Sequence, residues 1–165
     1  MVAVVLAAFR PDVVTRVVLL NVSVQASRIG ALASVMERVR HPGFFPLTPQ
    51  FIDEWACHPR PVPEAFLANQ RAHLNALPPV VWGQTFGELA NADLTPVLAL
   101  VSQPTLILWG AQDRLADAVQ REQLRSGIAG ARVVMIDDAA HNPSSAAPER
   151  VAAEIADFAA WVDDV

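Results

Sequence analysis

Three short apolar runs constrain the fold of this 165-residue chain more than any other feature. They are Val17-Val18-Leu19-Leu20-Asn21-Val22, Thr105-Leu106-Ile107-Leu108-Trp109 and Arg132-Val133-Val134-Met135-Ile136. None alternates polar with apolar residues. Near-continuous apolar runs of this length predict strands covered on both faces, as in a parallel sheet flanked by helices. Each ends at a polar or small residue (Asn21, Gly110, Asp137), where a loop can leave the carboxyl end of the sheet.

Helical patterns fill the intervals. Val151, Ile155, Phe158 and Val162 are spaced as one apolar helical stripe, and Pro148 suits that helix's first turn. Residues 115–128 predict a second helix, closed by Gly127 or Gly130. Residues 105–165 thus form a β-α-β-α unit whose crossover is expected to be right-handed. Residues 26–100 hold no strand run and many prolines, with helices expected over 28–40, 49–56, 63–77 and 80–91. A helical block between two sheet strands looks like a lid or cap. Trp55, Phe66, Trp82 and Phe86 lie on it, either packing helix on helix or lining a pocket. The fold class is α/β: three parallel strands with flanking helices plus an inserted helical cap.

Composition narrows the function. With 53% apolar and 18% charged residues the chain is not disordered. No run reaches the roughly 18 apolar residues of a membrane helix, so no membrane association is expected. Met1–Phe9 has the apolarity of a signal peptide but lacks its positively charged start. Twelve basic residues, all Arg, stand against seventeen acidic ones, with no basic run to displace phosphate counterions. Nucleic acid is therefore not an expected partner. The single cysteine, Cys57, forms no internal disulfide and fits a reducing, cytoplasmic setting. The four histidines are scattered, so neither a metal nor a cofactor is expected.

Two sites can carry chemistry. The buried run ending at Trp109-Gly110 delivers Asp113 just beyond the carboxyl edge of the sheet, where open α/β sheets bind ligands. Asp113 is equally suited to cap a helix starting near Arg114. The third run ends in Asp137-Asp138-Ala139-Ala140-His141, which puts a histidine on the same edge after the neighbouring strand. A carboxylate meeting an imidazole fixes its tautomer and stabilises its protonated form, as a general base requires.

These segments resemble the α/β-hydrolases. The run from Pro104 to Gly110 with Asp113 is similar to that family's acid strand and turn. Ala139-Ala140-His141, then Pro148-Glu149-Arg150-Val151 and a helix through Phe158 and Trp161, is similar to its histidine loop and closing helix. Residues 3–14 resemble the end of the nucleophile helix. The family order of nucleophile, acid, histidine is respected. The resemblance implies Asp113 as orienting acid and His141 as general base. It divides the chain into residues 1–25 (end of the nucleophile helix and next strand), 26–100 (cap) and 101–165 (later core).

The departures concern the other half of the machinery. Ala139 and Ala140 stand where the family commonly has glycine, and no Gly-x-Ser-x-Gly elbow or oxyanion loop is present. Ser23, Ser144 and Ser145 lack a glycine-flanked turn, and Cys57 beside His58 points a different way along a helix. The expectation is a truncated or split hydrolase portion, inactive alone. Its parent enzyme would act on a small, apolar, ester-like substrate, with aspartate-based epoxide or carbon–halogen chemistry still open. The other expectation is a non-catalytic interaction module that self-associates, or docks an N-terminal half, through the bare first strand.

Overall fold

The computed structural model describes residues 1–26, 48 and 59–163. The order is α1 (Val2–Phe9), β1 (Val17–Leu20), α2 (Glu64–Ala76), α3 (Pro79–Asn91), a 3-10 turn (Thr95–Leu100), β2 (Thr105–Gly110), α4 (Ala118–Gly127), β3 (Arg132–Ile136), α5 (Pro143–Ala146) and α6 (Pro148–Asp163). The strands form one parallel sheet in the order β1-β2-β3. Val17 pairs with Thr105 at one end of β1, and Gly110 pairs with Ile136 at the carboxyl end of β3.

The apolar runs build three layers because successive side chains leave opposite faces of a strand. Val17, Leu19, Ile107 and Trp109 face a core closed by Val4 and Ala7 of α1, Leu98, and Leu124 of α4. Leu106 and Leu108, with Val18, Leu20 and Val134 beside them, face the opposite core, closed by Val151, Ile155 and Phe158 of α6. The expected helical stripe therefore packs on the sheet, and burying Phe158 alone contributes about 2–3 kcal/mol.

Full coverage of both faces holds for β2, whose six residues are all buried. β3 is an edge, with Arg132 and Met135 exposed, which a run of apolar letters does not distinguish from a central strand. β1 stops two residues short of the predicted run, since Asn21 takes a left-handed backbone (φ 44°) that turns the chain out of the sheet.

α4 also starts later than the predicted residue 115. Asp117 is its cap, accepting the Gln120 N–H at 3.0 Å, while the preceding residues form a turn. At the other end the helix stops at Gly127, and Gly130 (φ 73°) takes the left-handed position beyond it.

α2 and α3 fall within a residue of expectation, separated at Leu77-Pro78. Trp82 donates from Nε1 to the Leu74 carbonyl of α2 at 3.2 Å and stacks on buried Phe86, one turn further along α3, at 5.4 Å. Phe66 is exposed. The helices expected over 28–40 and 49–56, Trp55 and the Cys57-His58 pair lie outside the described residues. Among the described residues no helix is long and apolar enough to cross a membrane.

Candidate active site

The carboxyl ends of β2 and β3 are stitched together by main-chain bonds that fix where the acid and the histidine emerge. After Gly110, the Ala111 N–H donates to the Ile136 carbonyl and the Gln112 N–H to the Ala139 carbonyl, both at 3.0 Å. The Asp113 N–H closes the turn onto the Gly110 carbonyl at 3.1 Å. Across from it the Ala139 N–H returns to Ile136, and Ala139 and Ala140 are buried beneath the turn. His141 follows at once, and α5 begins beyond Asn142.

Asp113 divides its carboxylate between two tasks. One oxygen accepts the Leu115 and Ala116 N–H groups at 2.8 and 3.2 Å. The other lies 3.1 Å from His141 Nδ1. The two sequence-based roles for Asp113 thus coexist, though what it caps is a turn and not a helix. Its side chain is fully buried, whereas that of His141 is 20% exposed. A carboxylate accepts and cannot donate, so the contact calls for a ring proton on Nδ1.

Beside His141 opens a cavity of about 200 Å³. Met1 at the start of α1, Val22 after β1, Leu89 of α3 and Leu115 give it an apolar wall, and Asn21 and Ser23 supply polar atoms. Ser23 is therefore near the histidine, but it sits on an irregular segment after β1 and not on a glycine-flanked turn. Ser144 and Ser145 lie in α5, and the Ser145 hydroxyl donates to the Asn142 carbonyl. A wider depression of about 440 Å³ is lined by Arg60, Asp137, Asp138 and Arg150. Arg60 and Asp138 pair within it at 2.6 Å, and it holds no carboxylate–imidazole contact. No group of three metal-ligating side chains occurs among the described residues.

No family model matches the sequence, and no curated protein matches it. Solved structures do. An enol-lactonase from Burkholderia xenovorans LB400 aligns over 96% of this chain and 61% of its own, with 26% identity and a TM-score of 0.76. A hydrolase from Pseudomonas aeruginosa PA01 covers 95% of this chain and 60% of its own at 24% identity and a TM-score of 0.76. The chain carries part of the α/β-hydrolase fold. A thermophilic esterase from Thermogutta terrifontis repeats the match over 98% of this chain and 61% of its own, with 24% identity and a TM-score of 0.71. The chain thus spans about 60% of the length of these α/β-hydrolase structures.

Asn21, Leu89 and Leu115 were not singled out from the sequence as site residues. Asn21 had one signal, an amide side chain closing an apolar strand, since Asn tolerates left-handed backbone. Leu89 and Leu115 had none, because an apolar residue on a helix reads as packing whichever side it faces.

Proposed function

We propose that this chain is the acid-and-base portion of an α/β-hydrolase that cleaves a small, apolar ester-like substrate. Asp113 acts as the orienting acid and His141 as the general base. The Nδ1 to Oδ2 contact of 3.1 Å at the carboxyl edge of the sheet, opening on an apolar cavity, carries this conclusion. A nucleophilic hydroxyl presented at the amino end of α1 would attack the carbonyl carbon and pass its proton to His141 Nε2. His141 would return that proton to the leaving alcohol as the tetrahedral adduct collapses, and water would then release the acid by the same route. Asp113 holds the Nδ1 proton and stabilises the imidazolium formed between the two transfers. Both the nucleophile and an oxyanion hole are required, and the 165 residues contain no Gly-x-Ser-x-Gly turn to present the first.

The test joins the chain to an elbow-bearing segment, taken from the enol-lactonase neighbour and placed ahead of α1. Hydrolysis of short-chain p-nitrophenyl esters should appear and should fall by about 10⁴ or more in a His141→Ala variant. Hydrolysis that survives loss of His141 would sink the proposal. The 165-residue chain alone should not react with a serine-directed fluorophosphonate, and stoichiometric labelling would show a nucleophile within it.

A further inference from the structure

We infer that Asn21 is a positioning residue that ties the acid turn to the histidine loop and so holds Asp113 and His141 in register. The inference rests on the proposal that those two residues are the catalytic pair.

Asn21 is 4% exposed and uses both ends of its side chain. Its Nδ2 donates to the Ala140 carbonyl at 2.6 Å, on the residue just before His141. Its Oδ1 accepts the Gly110 N–H at 2.8 Å, three residues before Asp113. The geometry follows from where β1 stops. Leu20 pairs with Leu108, and the Asn21 N–H still reaches the Leu108 carbonyl at 3.1 Å. The strand then turns at φ 44°, leaving Gly110 beyond the last paired row. The Asn21 amide oxygen takes the place of the strand carbonyl that Gly110 would otherwise meet.

The left-handed turn sends the other end of the amide across β2 to the loop after β3. The two backbones it joins are already in close contact, since a Cβ on Gly110 would lie 2.1 Å from the Ala140 oxygen. Asparagine meets these demands together: it tolerates positive φ and offers one acceptor and one donor. Glycine satisfies the backbone alone. Aspartate satisfies the backbone and the acceptor but, ionised, has nothing to donate to Ala140.

That difference separates positioning from a turn-forming role. If Asn21 served the turn alone, Asn21→Gly would leave the site intact. If it positions the pair, the same change frees the histidine loop. Long-range ¹H–¹⁵N correlation spectra of the 165-residue chain report which ring nitrogen of His141 carries the proton, and amide exchange reports on Gly110.

In the wild type the Nδ1–H form should dominate, and Asp113→Asn should reverse it. Asn21→Gly should at least halve the Nδ1–H share and speed Gly110 exchange by roughly fivefold to tenfold. Asn21→Asp should produce the same tautomer shift while Gly110 stays protected. Wild-type tautomer ratios in folded Asn21→Gly or Asn21→Asp overturn the inference, and so does loss of the fold in both, which marks a purely structural role. Should only the glycine variant fail to fold, the aspartate variant decides. An Asp113→Asn protein whose His141 ring is unchanged would refute the pairing itself and the inference with it. That result is distinct from failure of the Asn21 variants alone.

Discussion

A single methyl group at the end of β2 should test how tightly the acid turn and the histidine loop are held. In Gly110→Ala the new Cβ would meet the Ala140 oxygen at 2.1 Å, the Ala139 oxygen at 2.7 Å and the Ala139 carbonyl carbon at 2.8 Å. Ordinary contact requires the nearest of these to withdraw by roughly 1.3 Å. All three are backbone atoms, so no rotamer change relieves the clash. Two of them are anchored, Ala139 by the Gln112 N–H and Ala140 by the Asn21 side chain. Gly110 is not among the positive-φ residues, so the penalty is one of contact and not of backbone conformation.

Overpacking costs about 1–3 kcal/mol, and immobile obstacles place this site at the upper end. For a domain of this size about 3 kcal/mol lowers Tm by roughly 6–12 °C. Gly87→Ala is the matched control, a helical glycine with nothing within 4 Å of its added Cβ. It should gain up to about 1 kcal/mol of helix propensity and raise Tm by roughly 2–4 °C. Thermal denaturation followed by circular dichroism measures both. A Gly110→Ala midpoint within about 2 °C of wild type would refute the close approach on which the site's geometry depends.

Three further outcomes are expected. Asp113→Asn keeps an oxygen for the Leu115 and Ala116 N–H groups but turns an NH₂ toward His141. In the elbow-complemented protein it should cost about 10⁴ in kcat while Tm moves by only a few degrees, and retained activity would contradict the proposed role. Asp117→Ala removes the cap of α4 and should cost about 1 kcal/mol, read as a fall in Tm of roughly 2–4 °C. Asp12 is held below its ordinary value of 3.8 by the hydrogen-bonded Arg10 guanidinium. Its small stabilising contribution is therefore present above pH 3.8 and lost as pH falls through the lowered folded value. Arg10→Ala should return the Asp12 carboxyl titration toward 3.8, measured by NMR. An unchanged midpoint would contradict the pairing.

The sheet was legible because strands packed between helices are written as uninterrupted apolar runs, although both faces are fully buried in β2 and only partly in β1 and β3. The predicted limits of β3 match the strand, and the stripe through Val151 and Phe158 packs where its spacing requires. The errors have local physical causes. Val22 reads as strand by letter, but the left-handed Asn21 ends the ladder before it. Leu115 reads as helix, yet Asp113 draws the Leu115 and Ala116 amides into a turn, which leaves Leu115 on the cavity wall. Asp113 and His141 could be paired from sequence because both follow apolar strand runs onto one sheet edge. The Asn21 contact to Ala140 spans 119 positions and joins three strand ends, so no local pattern announces it.

Under the proposed function, proton handling and substrate fit draw on partly different elements. Asp113 and His141 emerge from β2 and β3, and the bonds that fix them run among Gly110, Gln112, Ile136, Ala139, Ala140 and Asn21, all at strand ends. The apolar wall of the cavity comes from α1, α3 and the segments after β1 and Asp113. Of these, α3 buries only Phe86 and so has few apolar contacts holding it to the rest of the described chain. A substitution at Leu89 therefore reshapes the cavity away from the Asp113–His141 contact, and one at Gly110 acts on the contact from outside the cavity lining, whereas Asn21 belongs to both, since it lines the cavity and ties the two loops.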